Sequence, residues 1–509
     1  MVDAIFLFNE VLTDDEDSDD DEHEFWFDDE NEEGDIAMED VDEDEYEDED
    51  GGRNVMWRRP MHRGDYVEVE GYEPYQKRRY AGNKDTGWDF LMKEAHANDS
   101  LLCEHFIDNF GMRQEDFYGL VEQARAATKI NEEGERVNRF VDELNNGVAR
   151  PKPIKLADKI GACLVYVRQN CSWDALSLLV NISPGLLRVT FHEFIEWISE
   201  DKFHEEVYFP RNAAERDRIE SCYARVGFPG CIGSTDGVHI WSKMIPKNFH
   251  HAAKKAGDRP SYVVNVIVDP NCIVQSVSRV YYGATNDMVA LNADEHFAET
   301  LANEPLFKDA EYTVKDIEGN DVIETGNYFI SDGGYCQDKR LMYPIKAGRL
   351  NNTPNGLFSR QIESQRKDVE RTFAHMKNEF AIFNGPLRFN KPKRVRHLFR
   401  TLFFLHNRRA RALKHHEIGQ DDGHWKTSPQ KMEYEPTEMD VQFAQRWREG
   451  VADGQPGRAA YIEDESRTVD RKKNWADRTN RLAQHVTYKD SKGELKWPKT
   501  HAELNIPKR

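Results

Sequence analysis

Between Gly230 and Trp241 the chain reads Gly-Cys-Ile-Gly-Ser-Thr-Asp-Gly-Val-His-Ile-Trp. This is an apolar run that carries one carboxylate, Asp236, into a Thr-Asp-Gly step, and the pattern predicts a strand followed by a turn. Two later segments are suited to meet that carboxylate. One is Asn327-Tyr-Phe-Ile-Ser-Asp-Gly-Gly-Tyr, with Asp332, and the other is the helical run Arg366-Lys-Asp-Val-Glu-Arg-Thr-Phe-Ala-His-Met-Lys, with Glu370.

The neighbouring segments say what kind of sheet receives this strand. Ser261-Tyr-Val-Val-Asn-Val-Ile-Val-Asp is rich in β-branched residues and predicts a second strand. Pro270-Asn271 turns the chain, and Cys272 to Tyr282 predicts a third strand, antiparallel to the second because the turn is so short. A helix is expected from Thr285-Asn-Asp through His296, then a polar insertion over 303–326. A short fourth strand ends on Asp332, and Leu341 to Lys346 suits a fifth. Residues 361–380 and 393–415 are expected to be helical. A three-strand meander, a helix, then strands alternating with helices is the order of an RNase H-like α/β domain, a mixed sheet with flanking helices, over 225–415.

Helical periodicity governs the part before it. Phe106, Phe110, Phe117, Leu120 and Val121 fall at helical spacings, as do Leu156, Ile160, Cys163, Leu164 and Val167. Residues 172–197 read as two helices broken at Asn181-Ile-Ser-Pro, with Ser183 as a cap and Pro184 in the first turn. Such a pair is either a helix-turn-helix or a plain helical hairpin, because its second helix carries little basic charge beyond Arg188. We expect a small all-helical domain over 96–200.

Charge divides the rest. Of 93 acidic residues, 27 lie in residues 1–52, which hold no Lys or Arg, whereas the remainder has 66 acidic against 69 basic residues. Residues 1–52 are therefore expected to be a disordered acidic tail, interrupted by Phe25, Trp26 and Phe27. Acid interleaved with aromatics suits either a docking segment or a solvated spacer. Residues 53–95 read as a linker and 416–509 as a polar tail with isolated helices at 437–448 and 470–486. Seven scattered cysteines without a Cys-x-x-Cys pair predict a reducing intracellular setting, with neither a disulfide framework nor a zinc cluster. No signal peptide is expected, and no apolar run approaches the ~18–20 residues of a membrane span.

The carboxylates suit phosphoryl transfer. Cleaving a phosphodiester requires charge neutralisation on the attacking and leaving oxygens, which two divalent ions can supply. Mg²⁺ and Mn²⁺ favour oxygen ligands, so carboxylates from separate elements can hold them and leave positions open for phosphate. Asp236 and Asp332 stand at strand ends, Gly333-Gly334 lets backbone approach a ligand, and Glu370 is placed on a helix with an apolar face. Glu363, seven residues earlier on the same helical face, is the rival third acid. Asp287 is either an auxiliary acid or a helix N-cap, the latter preferred. His239, further along the first strand, is expected on the face of Asp236, touching phosphate or simply packed.

These segments, with Tyr281-Tyr-Gly-Ala-Thr-Asn-Asp and Leu402-Phe-Phe-Leu-His-Asn, resemble PIF/Harbinger DDE transposases over about 225–410. The resemblance implies that Asp236, Asp332 and Glu370 form the DDE triad and bind Mg²⁺ or Mn²⁺. It implies a nuclear enzyme that cuts DNA at transposon terminal repeats and joins the freed 3′-hydroxyl to target DNA. Homo-oligomeric assembly, work with a separate Myb-like DNA-binding protein and no membrane association are expected with it. The chain departs from the family at Gly283-Ala-Thr-Asn-Asp, where Asn286 replaces a frequent His. Two other readings stay open: a domesticated DNA- or chromatin-binding adaptor without catalysis, and a nuclease with no role in transposition.

Residues 360–415 hold 15 Lys or Arg against 4 acidic residues, a net +11. Such a stretch suits phosphate neutralisation, and Arg366, Lys367, Arg371, Lys377, Lys393, Arg394 and Arg396 are the expected DNA contacts. Lys243, Lys247, Lys254 and Lys255 can extend the channel. The acidic tail is expected to compete with DNA for this surface. Deleting residues 1–52 should therefore raise DNA affinity at low salt in a fluorescence-anisotropy titration, and unchanged affinity would exclude the competition.

Overall fold

In the computed structural model of the chain, the aromatic spacing near residue 110 resolves into two helices, α1 (Ser100–Phe110) and α2 (Gln114–Ala126). Phe106, Phe110 and Phe117 meet between them, with the Phe106 and Phe110 ring centroids 4.4 Å apart. The structure describes residues 100–131, 133–142, 154–254, 259–292, 304–333, 340–345, 353–389, 391–413, 425–427 and 465–498, with Trp88, Met92, Asp294, Phe297 and Tyr335. The acidic tail, the linker apart from Trp88 and Met92, Lys255 and the helix expected at 437–448 lie outside these residues.

A short hairpin, β1 (Thr128–Ile130) with β2 (Arg136–Asn138), leads to α3 (Leu156–Gln169), which is buried nearly all round. The pair α4 (Trp173–Val180) and α5 (Pro184–Trp197) follows. Ser172 Oγ accepts the Ala175 N–H at 3.1 Å and Ser183 Oγ accepts the Leu186 N–H at 3.4 Å. These caps satisfy N–H groups that the first turn leaves without a helical partner. In α5 only Gly185 and Val189 are exposed, while Leu187, Phe191, Phe194, Ile195 and Trp197 are buried. A helix that spends its surface on packing suits the plain hairpin among the two alternatives.

The sheet is built on β3 (Cys231–Trp241) and β4 (Ser261–Val268), antiparallel from Ser234 opposite Val268 to Trp241 opposite Ser261. The expected third strand is split into β5 (Val274–Val277) and β6 (Tyr281–Tyr282), both antiparallel to β4. The polar insertion contains an antiparallel hairpin, β7 (Glu311–Lys315) with β8 (Asp321–Thr325). Next, β9 (Tyr328–Ile330) lies parallel to β3, and β10 (Leu341–Met342) lies parallel to β9. The order is β10-β9-β3-β4-β5, with β6 also on β4. A separate pair joins β11 (Trp425–Thr427) to β12 (Lys496–Pro498).

Helices α6 (Ala213–Arg225), α7 (Asp287–Asn292), α8 (Pro354–Gln365), α9 (Lys367–Glu379), α10 (Pro392–Leu413) and α11 (Glu465–Ser491) complete the fold. Strand alternation sends Tyr262, Val264, Val266 and Val268 into one core and Ile267 into another. The first core also takes Val238 and Ile240 of β3, Val369, Phe373 and Met376 of α9, Leu402 and Phe403 of α10, and the buried residues of α1 to α5. The helices expected as a domain of their own over 96–200 thus share a core with the sheet.

The basic helix α10 is anchored by its apolar stripe and by two polar residues. Asn407 uses its side-chain amide as a strand neighbour would: Oδ1 accepts the Val274 N–H at 2.8 Å and Nδ2 donates to the Val274 carbonyl at 2.7 Å. His406 is fully buried, with Nδ1 3.0 Å from Glu379 Oε2 and Nε2 2.9 Å from the Cys272 carbonyl. Both partners are acceptors, so the ring is satisfied when both nitrogens carry protons. Burial lowers its pKa, and Glu379 more than offsets this, leaving it above the ordinary value. Cys103, Cys163, Cys171, Cys222, Cys231 and Cys272 are free thiols. No described helix is long and apolar enough to cross a membrane.

The second core corrects the expectation of an isolated C-terminal helix at 470–486. Helix α11 buries Trp475, Leu482, Ala483 and Val486 against α8, the β7–β8 hairpin and β10. Trp475 stacks on Tyr343 with centroids 4.7 Å apart and donates its indole N–H to the Leu341 carbonyl at 2.9 Å. The polar composition that suggested isolation belongs to the outward face only. Trp475→Ala should lower stability by about 3–5 kcal/mol, read from the urea midpoint; a loss under ~1 kcal/mol would mean that α11 is dispensable to the fold.

Candidate active site

Asp236 lies on β3 opposite Val266, on the sheet face that carries Val238 and Ile240 toward α9. The preceding chain reverses at Gly230, whose φ of +82° and closeness to the Tyr312 ring admit no side chain. Asp236 accepts the Gly237 N–H at 2.8 Å on Oδ1. Burial pushes its carboxyl up to about 6, and the nearby charges of Asp332 and Asp287 push the same way, against the Gly237 N–H and Arg366.

Asp332 reaches this place through the parallel pairing of β9 and β3. Ser234 is opposite Ile330, the last residue of β9, and Asp332 follows two residues past that strand end, near enough to Asp236 for its charge to act there. Asp287 comes from the other face. It is the first residue of α7, where the Asn286 carbonyl accepts the Val289 and Ala290 N–H groups. Asp287 is therefore not the expected N-cap, since its carboxylate turns toward β3 instead. A Cβ on Gly237 would stand 2.8 Å from Asp287 Oδ1, so glycine here is what lets that acid come close.

Beneath the site lies a buried polar chain. Tyr335 donates to Asn265 Oδ1 at 2.6 Å, and Asn265 Nδ2 donates to Thr235 Oγ1 at 2.8 Å. Asn265 and Thr235 are fully buried, so each hydrogen bond matters more than at the surface. His239 falls on this second face, contrary to expectation. It is three positions from Asp236, and an odd step in a strand changes face; its Nδ1 lies 3.4 Å from Ser261 Oγ.

The third acid is reached through an arginine. The helix expected over 361–380 is two helices, and Arg366 is the residue between α8 and α9. Its Nη1 is 3.0 Å from Asp236 Oδ2, and its Nη2 is 2.9 Å from Glu370 Oε1 and 3.4 Å from Glu363 Oε2. Glu363 and Glu370 are both about half exposed and both tied to the same guanidinium, Glu370 by the shorter contact. Among the described residues, no three His, Cys, Asp or Glu side chains are gathered closely enough to hold a metal ion. Of the carboxylates of the site, Asp236, Glu363 and Glu370 are joined by Arg366.

The basic stretch is divided between inside and outside. Arg371 pairs with Asp368, a buried acid that also accepts from Tyr223 at 3.1 Å. Burial pushes the Asp368 carboxyl up to about 7, and Arg371 and Tyr223 oppose that. Arg396 lies 3.5 Å from Glu200, Arg409 3.5 Å from Glu379, and Arg411 pairs with Glu206. Arg400 covers the Phe203 ring at 4.5 Å. Lys367, Lys377, Lys393 and Arg388 are exposed, and Arg394 is half-buried. Lys243, Lys247 and Lys254 are exposed as well.

Sequence reasoning missed Asn265, Tyr335, Asp368 and the bridging place of Arg366. For Arg366 a signal existed: it stands three residues after Glu363 and four before Glu370, the spacings at which helical side chains meet. Asn265, alone in a β-branched strand, was the signal for the polar chain. Asn265→Leu leaves two buried hydroxyls without their partner and should cost at least about 2 kcal/mol; chemical unfolding at pH 7 measures this, and wild-type stability would show the chain to be incidental.

No curated protein and no solved structure matches this chain. Residues 208–413, which run from the approach to α6 to the end of α10 and include each carboxylate of the site, match the family model described as plant transposon protein, so this part of the chain is similar to proteins of a transposon-related family.

Proposed function

We propose that the chain is a DDE-type transposase of the PIF/Harbinger kind, an Mg²⁺- or Mn²⁺-dependent endonuclease that cuts DNA at transposon ends and joins the 3′-hydroxyl to target DNA. The observation that carries this reading is the Arg366 bridge from Asp236, on the central strand, to Glu370, on the covering helix, with Asp332 close enough for its charge to act on Asp236. The sheet order β10-β9-β3-β4-β5, with β3, β4 and β5 antiparallel and β9 and β10 parallel to β3, supports an RNase H-like domain. The match to a plant transposon protein family over this same region supports the transposition role.

The donor set fits a hard divalent ion in chemistry. It is all oxygen, and a cation, the Arg366 guanidinium, already lies between Asp236 and Glu370. Asp236, Asp332 and Glu370, with Glu363 as the rival for the last place, would hold the metal. Bound there, Mg²⁺ or Mn²⁺ would neutralise charge on the attacking and leaving oxygens of an in-line displacement. The chain's own part is positioning. Strand β3 holds Asp236 and the end of β9 leads to Asp332, while exposed Lys367 and Lys377 on α9, Lys393 on α10 and half-buried Arg394 face the DNA backbone. In the first step water attacks phosphorus and the 3′-oxygen leaves as a 3′-hydroxyl; in the second that 3′-hydroxyl loses its proton and attacks a target phosphodiester, and the target strand's own 3′-oxygen leaves and takes up a proton. A nuclear site of action follows from the substrate, and a homo-oligomer with a separate Myb-like DNA-binding partner suits a chain whose α5 offers little basic surface.

A second reading, a DNA-binding adaptor without catalysis, is favoured by one observation: Arg366 already neutralises Asp236 and Glu370. One experiment separates the two. Purified protein is incubated with terminal-repeat DNA and Mn²⁺, beside Asp236→Asn, Asp332→Asn, Glu370→Gln and Glu363→Gln. Wild type should cut, and the first three variants should lose on the order of a hundredfold or more in rate, with Glu363→Gln close to wild type. DNA binding without cutting by wild type would establish the adaptor; cutting that survives Asp236→Asn would remove this site, and cutting without end specificity would leave a plain nuclease.

A further inference from the structure

We infer that Arg366 is a resident counter-cation of the carboxylate site, competing with a divalent metal ion for Asp236, Glu363 and Glu370. The inference rests on reading the site as a metal centre and adds a residue that regulates its loading.

The geometry is specific to this arginine. Its side chain is only 16% exposed, so the guanidinium is enclosed by the acids and does not wave in solvent. The planar fork presents its N–H groups in two directions. Nη1 takes Asp236 on β3, while Nη2 takes Glu370 on α9 and Glu363 on α8. One residue thus joins the central strand to two helices, from the break between them. Neighbouring Lys367 is exposed, as a residue that meets only solvent or DNA would be.

Charge explains why a cation is held there. Asp236 is largely withdrawn from water, and Asp332 and Asp287 lie near enough to act on it. Without an opposing charge these acids repel each other and resist ionisation. A guanidinium cannot supply the oxygen-polarising chemistry of a divalent ion, yet it offsets the same repulsion. Two cations that need the same carboxylate oxygens exclude each other. Metal affinity is then reduced by the fraction of time the arginine holds the site, about tenfold if that fraction is nine-tenths.

The test is a Mn²⁺ titration of the full chain, with free Mn²⁺ counted by electron paramagnetic resonance, alongside thermal melting with and without Mn²⁺. Wild type, Arg366→Gln, Arg366→Lys and Asp236→Asn are compared. Arg366→Gln should bind Mn²⁺ about tenfold more tightly than wild type. It should melt at a lower temperature than wild type without Mn²⁺ and gain more on adding it. Arg366→Lys, with a single ammonium that cannot span three acids, should bind Mn²⁺ at an intermediate affinity. Equal or weaker Mn²⁺ binding by Arg366→Gln, where wild type binds and Asp236→Asn does not, overturns the inference and leaves the metal reading intact. Should Arg366→Gln not fold, Arg366→Lys decides, and affinity no tighter than wild type overturns the inference. Absence of Mn²⁺ binding by wild type, Arg366→Gln and Arg366→Lys alike overturns both.

Discussion

A carboxylate carried on a strand that is covered on both faces has to be compensated, and much of the local architecture follows from how Asp236 is. Ionised side chains are strongly disfavoured away from water unless hydrogen bonds or opposite charge accompany them. Here the Gly237 N–H supplies one hydrogen bond and Arg366 supplies the charge. Arg366 can reach β3 because it sits at the break between α8 and α9, and those helices are held against the sheet by Leu357, Phe358 and Ile362 on one side and Val369, Phe373 and Met376 on the other. The apolar packing and the ionic junction therefore depend on each other.

The basic stretch 360–415 serves two purposes that composition cannot separate. Many of its arginines point inward: Arg396 and Arg411 tie α10 to Glu200 and Glu206 before the sheet, Arg409 ties α10 to Glu379 of α9, and Arg371 pairs with Asp368 within α9. A buried or half-buried Arg–carboxylate pair contributes less to stability than its Coulomb energy suggests, but removing one partner leaves the other unpaired. Among the described residues, Lys367, Lys377, Lys393 and Arg388 are exposed to solvent instead. The net +11 thus overstates the surface available to a polyanion.

Much of the sheet was legible from local chemistry. β-Branched runs became β3 and β4, Ser172 and Ser183 became caps, and Pro184 took the first turn of α5. Legibility failed where a long-range contact overrode the local pattern. The polar 465–491 segment became a packed helix because one of its faces meets Tyr343, Leu341 and the β7–β8 hairpin, contacts over a hundred residues away in sequence. The helical part was expected to stand alone, since its own periodicity is self-sufficient, but its stripes are completed by α9, α10 and the sheet.

The sequence by itself determined where β3, β4, α4 and α5 form, because alternation, helical spacing and capping chemistry act between near neighbours. It also set a single carboxylate, Asp236, within an apolar strand and another, Asp332, just past the end of a second. Only the tertiary structure decided what those carboxylates meet. Parallel pairing of β9 with β3 leads the chain to Asp332 near Asp236, an odd step along β3 sends His239 away, and the closeness of α7 lets Asp287 lie against Gly237. Arg366, read from composition as one more basic residue, is turned inward by three acids that no local rule brings together. Charges interact across space and not along the chain, so their partners are fixed only once the chain has folded.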